Sequence, residues 1–197
     1  MSDRLPDPAL DQLFRQARTR NGWTPEKVSE ALLREVYAMA ALGPTASNAQ
    51  PARFLFLVTE EAKQRLAPHM SSGNRPKTLQ APVNVIVAYD LDFADQIPRL
   101  FPHNPKAGDW FKSSPELARQ TAFRNGSLQA AYLMLAARSL GLDCGPMSGF
   151  NPAGVNEEFF AGTRWEANFV CNIGYGTDEN LFPRNPRLTF DEACRIL

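Results

Sequence analysis

Arg18 and Arg20 stand one residue apart in the run ARTRNGW, just ahead of an Asn-Gly pair. Guanidinium groups grip phosphate through two parallel hydrogen bonds, so this stretch is a candidate anion site. A plain solvated basic face is the alternative when the stretch is taken alone. A second run, GPTASNAQPARF, follows a helix stop with Thr45, Ser47, Asn48 and Gln50 before the next proline. Amide side chains offer donor and acceptor together, which suits the alternating pyrimidine edge of a flavin, and small residues let backbone approach a flat ring. An Asx-type turn would use the same residue types.

Metal and nucleic-acid chemistry are disfavoured. Cys144, Cys171 and Cys194 form no CxxC pair and His69 and His103 stand alone, so zinc-ligand spacing is absent and the cysteines read as small buried residues. Lys and Arg number 21 against 21 Asp and Glu, so no bulk field attracts a polyanion and any anion site must be built from converging groups. The opening residues lack the basic start and apolar stretch of a secretory signal. No apolar run approaches the roughly 18 residues of a membrane span, so a cytoplasmic protein with no membrane partner is expected. With 44% hydrophobic residues in 197, the chain fills a core without disulfide or metal staples and reads as one domain, 1–197.

The elements that must position these residues are legible in outline. Asp7 and Pro8 start a helix with Leu10, Leu13, Phe14 and Ala17 on one face and its end at Asn21 and Gly22. Ser29 caps a second helix whose buried stripe is Leu32, Val36, Met39 and Ala40, stopped by Gly43 and Pro44. Arg53 to Val58, Val83 to Tyr89 and Asn168 to Ile173 have strand composition, and Thr59 caps a short helix. The longest helix starts at Ser113 or Ser114, with Pro115 just inside and Glu116 placed for a capping box, and runs to Gly141. Its second half, LQAAYLMLAARSL, is apolar nearly all round, which places it at the domain centre and at a subunit interface together. A final helix is capped by Thr189 with Glu192 three positions on. Strands and helices without strict alternation predict an α+β domain, a small sheet wrapped by helices.

Taken in chain order, five segments carry a resemblance. GPTASNAQPARF resembles the P-S-x-x-N-x-Q-P-W loop of the nitroreductase superfamily, and ARTRNGW its N-terminal phosphate-binding stretch. SSGNRPKTLQAPVNVIVAYD is similar to its N-x-x-K element before a strand, SLGLDCGPMSGF to its G-L-x-x-x-P-x-x-G-F turn, and NIGYGTDENLFPRNPRLTFDE to its terminal I-G-Y and basic pair. The resemblance implies a mainly antiparallel sheet in an intertwined homodimer, bound FMN, and NADH or NADPH as electron donor. The FMN contacts it implies are Arg18, Thr19 and Arg20; Pro44, Thr45, Ala46 and Asn48; Asn74 and Lys77; Pro146, Met147, Ser148 and Gly149; and Arg184 and Arg187. Lys77 or Arg18 would stabilise the reduced ring, hydride would pass through flavin N5 in ping-pong turnover, and the Asn48 loop would come from the subunit opposite Lys77. Trp110, Phe111 and Phe123 would cover the ring, with local packing as their plain alternative.

Within the superfamily, ARTRNGW, FPHNPKAGDWFKSSPELARQTAFRN and GLDCGPMSGF resemble the malonic semialdehyde reductases of pyrimidine-ring breakdown. The implied reaction reduces malonic semialdehyde to 3-hydroxypropionate. The chain departs from the family pattern where Ala52 and Arg53 replace the tryptophan after Q-P, where Ser148 stands for a glutamate and where Asn185 stands for a lysine. A broad-specificity nitroaromatic, quinone or enoate reductase and a non-catalytic flavin-binding protein are the competing readings.

Overall fold

The computed structural model describes residues 3–197. In chain order its elements are α1 (Asp7–Leu10), β1 (Gly22–Trp23), α2 (Glu30–Ala40), β2 (Ala52–Leu57), α3 (Glu60–Leu66), α4 (Arg75–Gln80) and β3 (Val83–Asp90). There follow α5 (Ile97–Leu100), α6 (Ala107–Lys112), α7 (Pro115–Ser139), β4 (Asp143–Met147), α8 (Pro152–Phe160), β5 (Trp165–Gly174), β6 (Gly176–Thr177) and α9 (Phe190–Ala193).

Strands β2, β3, β5 and β4 form an antiparallel sheet in that order, while β1 and β6 pair separately. Side chains alternate across each strand, so Val83, Val85 and Val87 pack with Cys171 and Ile173 under α2 and α7, while Ile86, Ala88 and Val170 face α3 and α8. Helices on both faces leave all eight residues of β3 buried, which is why VNVIVAYD reads as an almost continuous apolar run. Pro146 is tolerated in β4 because that strand is an edge, where a missing N–H breaks no ladder.

Local signals set most helix starts. Ser29, Thr59 and Ser114 accept the N–H of Leu32, Ala62 and Leu117 at 3.2, 3.2 and 3.3 Å. Because Ser114 rather than Ser113 is the cap, Glu116 falls one place short of a capping box and accepts from Gln120 instead, at 3.2 Å. Thr189 donates its N–H to Glu192 at 2.8 Å as expected, but that helix ends at Ala193.

Tertiary pairing overrides local pattern elsewhere. The first helix ends in a π-turn over Asp11–Arg15, not at Asn21, because the following chain is drawn out along β4; Phe14 is consequently exposed. Leu33 rather than Met39 completes the buried stripe of α2. Cys144 and Cys171 are buried, whereas Cys194 is exposed, which corrects the expectation for the third cysteine. Among the described residues no helix is long and apolar enough to cross a membrane, and no His, Cys, Asp and Glu cluster could hold a metal.

Candidate functional site

Three of the predicted segments meet at one end of the sheet. Thr19 bridges to Cys144, and Arg20 donates its N–H to Cys144 O at 3.1 Å, laying Arg18–Asn21 along β4. Gly145 permits this approach, since a Cβ there would sit 2.6 Å from Arg20 O and 3.0 Å from the Trp23 ring. Asn74 sits at the N-terminus of α4 and donates to Gly149 O at 3.0 Å, which ties the exit of β4 to the start of that helix. Lys77 donates to Asn21 Oδ1 at 3.1 Å and so joins α4 to the arginine stretch.

The cations in this cluster are not equivalent. Arg20 is flanked by Asp143 at 3.3 Å and Asp178 at 2.5 Å, with its Nε too poorly aligned on Asp143 to form a hydrogen bond. Its charge is therefore spent within the protein. Arg18 donates to Phe182 O and has no carboxylate partner among the described residues. Lys77 has no carboxylate within 4.0 Å among the described residues, and burial lowers its ammonium pKa below the ordinary 10.5. A partly desolvated cation without a counter-ion is stabilised by any anion that docks beside it. The donor set fits a flavin mononucleotide: a guanidinium held by a carbonyl rather than a carboxylate for phosphate, and a partly desolvated ammonium for a ring that gains negative charge.

The loop between α2 and β2 is strained. Ser47, Asn48 and Gln50 take φ of 50°, 46° and 42°, a left-handed conformation that costs about 1–2 kcal/mol for a residue with a Cβ. Such strain persists where surrounding structure enforces it and clusters at functional sites. Buried amides on α7 enforce it here, because Asn125 Oδ1 accepts Ala46 N–H and Gln129 Oε1 accepts Ala52 N–H, both at 2.9 Å. Sequence reasoning passed over these two residues, although polar side chains four apart within an apolar helix were the available signal. Ser47→Gly should raise stability by about 0.5–1 kcal/mol, the relief of left-handed strain less glycine's entropy cost. A denaturant midpoint that does not rise would show the turn to be unstrained.

This loop is not beside Lys77 in the same chain. Asp90 donates its N–H to Pro51 O at 2.9 Å, so the loop adjoins the C-terminal end of β3, whereas α4 adjoins its start. The loop lies at the level of Asp90 and Lys77 O at that of the Asn84–Asn172 pair, about 20 Å of strand away.

The remaining predicted residues are dispersed. Arg184 reaches the arginine stretch by donating to Arg15 O and Ala17 O at 2.7 and 2.9 Å, while Arg187, among the described residues, bonds within its own loop, to Asn185 O and Pro186 O. Phe111 is held in the core against Phe93, with ring centroids 5.1 Å apart. Trp110 is 58% exposed and Phe123 50%, the latter edge-on to Tyr89. Tyr89 in turn donates to Glu166 at 2.7 Å, and burial followed by that carboxylate pushes its pKa up to about 12. A cavity of about 1040 Å³ runs along the free edge of β2 beside Tyr37, Phe54, Phe56 and Trp165; Gln50 lines it, but none of the predicted FMN contacts does.

The architecture is the nitroreductase fold. The Bacillus subtilis protein ydfN matches it with a TM-score of 0.88 at 20% identity, covering 98% of this chain and 100% of that one. A chain from Exiguobacterium sibiricum, solved in complex with FMN, matches with a TM-score of 0.83 at 20% identity over the whole of both chains. The chain belongs to the nitroreductase family, whose sequence model matches residues 5–175. A Caulobacter vibrioides (strain NA1000 / CB15N) protein named "Putative NADH dehydrogenase/NAD(P)H nitroreductase" is 57% identical over 194 residues, 98% of this chain and 99% of that protein.

Proposed function

We propose that this single-domain chain is an FMN-dependent NAD(P)H oxidoreductase, working as a homodimer in the cytoplasm and reducing malonic semialdehyde to 3-hydroxypropionate. The observation that carries the flavin reading is Lys77, a half-buried ammonium without a counter-ion, set between the Arg18 stretch and the Asn74–Gly149 contact. FMN, when bound, supplies a ring that takes hydride from the nicotinamide and passes it on at N5. Lys77 would hold positive charge beside the pyrimidine edge, Arg18 would meet the phosphate, and the amides of Asn48 and Gln50 would line the ring. The aldehyde carbon gains the hydride and its oxygen gains a proton from solvent, while NAD(P)H is oxidised to NAD(P)+.

The separation of Lys77 from the Asn48 loop supports a dimer, in which the loop of one subunit would complete the site of the other. Leu117, Leu128 and Tyr132 lie exposed along one side of α7 and offer a second copy an apolar face. Buried free thiols at Cys144 and Cys171 suit a reducing compartment.

Anaerobic mixing with NADH and with NADPH tests the redox role, since a flavin-storing protein would stay oxidised. Turnover of malonic semialdehyde beside a nitrofuran and an enoate then tests the substrate. Efficiency with malonic semialdehyde no better than with the others would favour the broad-specificity reading, which the exposure of Trp110 and the name carried by the Caulobacter relative support. Trp110→Ala is expected to raise the substrate KM several-fold, about 1 kcal/mol of aromatic contact, with FMN retained. Kinetics unchanged with every acceptor would remove Trp110 from the pocket.

A further inference from the structure

Asn84 and Asn172 are both fully buried in the sheet. They face each other in register on neighbouring strands β3 and β5, so their side chains share a face. Asn84 Nδ2 donates to Asn172 Oδ1 at 2.7 Å and to Thr78 O at 2.9 Å, and Asn172 Nδ2 donates to Lys77 O at 3.0 Å. The directions are fixed by the acceptors, because Lys77 O and Thr78 O can only accept. Asn84 Oδ1 is left without a partner, a cost that a plain Val–Val pair at these positions would not carry.

Helix α4 is six residues long, too short to hold itself; Lys77 O accepts the Ala81 N–H at 3.1 Å, and the carbonyls near this end have room for further donors. Side chains supply those donors: Asn172 adds a second one to Lys77 O, Asn84 reaches Thr78 O, and Lys63 Nζ from α3 reaches Leu79 O and Ala81 O at 3.3 and 3.4 Å. The sheet thus grips this helix by its C-terminal end at the residue that bears the uncompensated ammonium. Backbone and side chain of Lys77 are each held by an asparagine, the carbonyl by Asn172 and the ammonium by Asn21.

We infer that the Asn84–Asn172 amide pair is a positioning device: it fixes the backbone of Lys77 so that its ammonium favours reduced over oxidised FMN, and thereby sets the flavin's reduction potential. This rests on the FMN reading above and deepens it. The pair touches neither ring nor substrate and acts only through Lys77.

The test is the double variant Asn84→Val/Asn172→Val, with Asn172→Thr as a milder second that keeps volume while withdrawing the amide donor from Lys77 O. Midpoint potentials are measured with FMN in excess, in wild type and variants and again in a Lys77→Met background, alongside amide hydrogen exchange of α4 in the FMN-free protein. The expected result is faster exchange in α4 and about a tenfold lower preference for reduced FMN, a midpoint lowered by about 30 mV for a two-electron couple. That shift should vanish in the Lys77→Met background. An unchanged potential despite loosened α4 would reduce the pair to a purely structural role and overturn the inference. An equal shift with and without Lys77 would also overturn it. Wild type that binds no FMN would instead sink the flavin reading, and this inference with it.

Discussion

Lys77→Met is expected to lower kcat/KM for the nicotinamide donor by about 10²–10³, the usual loss when one preorganised electrostatic group is taken from a developing negative charge. The size follows from the setting of the ammonium. It is partly buried, which lowers its pKa, and among the described residues no carboxylate lies within 4.0 Å of it. A charge so placed interacts with a ring anion far more strongly than one in water. Oxidised FMN should be retained with a smaller loss, because Arg18 and the Asn48 loop remain.

The pH dependence has a definite sign. Lys77 becomes neutral as pH rises, and burial brings that loss below the 10.5 of an ordinary lysine. Preference for reduced over oxidised FMN should therefore weaken from a lower pH than an exposed lysine would give, and Lys77→Met should abolish that limb. In the FMN-free protein the same lowered pKa makes the charged form a cost to folding. That cost is felt below the folded pKa and is relieved as pH rises toward 10.5. A titration of FMN-free stability that shows no such rise would contradict the desolvation of Lys77.

The second large effect is expected at the exposed face of α7. Leu128→Arg with Tyr132→Arg should convert a dimer to monomer and release FMN together, since central apolar anchors of an interface cost about 2–4 kcal/mol each when lost. Both residues lie outside the hydrophobic core, at 48% and 40% exposure, so the monomer itself should stay folded. Sizing and flavin fluorescence of the same sample separate the outcomes. A monomer that keeps FMN would show that one chain completes its own site.

Segments that act locally were legible in the sequence. The caps at Ser29, Thr59 and Ser114, and the strands around Phe54, Ile86 and Val170, are fixed by neighbours within a few residues. What was not legible depends on distant partners. β4, with the sequence DCGPM, has the look of a turn, and only its place at the sheet edge makes Pro146 acceptable. α8 was likewise missed; it is short, and Asn151 caps it by accepting Gly154 N–H at 3.3 Å. The expected first helix gave way at Gln16 because Thr19 and Arg20 gain strand partners at Cys144.

The candidate site divides in the same manner. Arg18, Lys77, Asn74 and Gly149 stood in motifs, and folding gathers their segments at one end of the sheet. That Arg20 is consumed by two aspartates is a fact of three dimensions, since Asp143 and Asp178 are remote from it in sequence. The same holds for Asn21, Asn84 and Asn172, whose partners are remote in sequence, and for the backbone groups that Asn125 and Gln129 accept from, although the spacing of those two on α7 was itself a signal.

The most direct measurement is the visible absorbance of the freshly purified protein, with the chromophore released by denaturation, identified and quantified against chain. The account predicts a yellow protein carrying FMN close to equimolar with chain, its colour bleached by NADH or NADPH in the absence of oxygen. A colourless protein that takes up no FMN on reconstitution would contradict it.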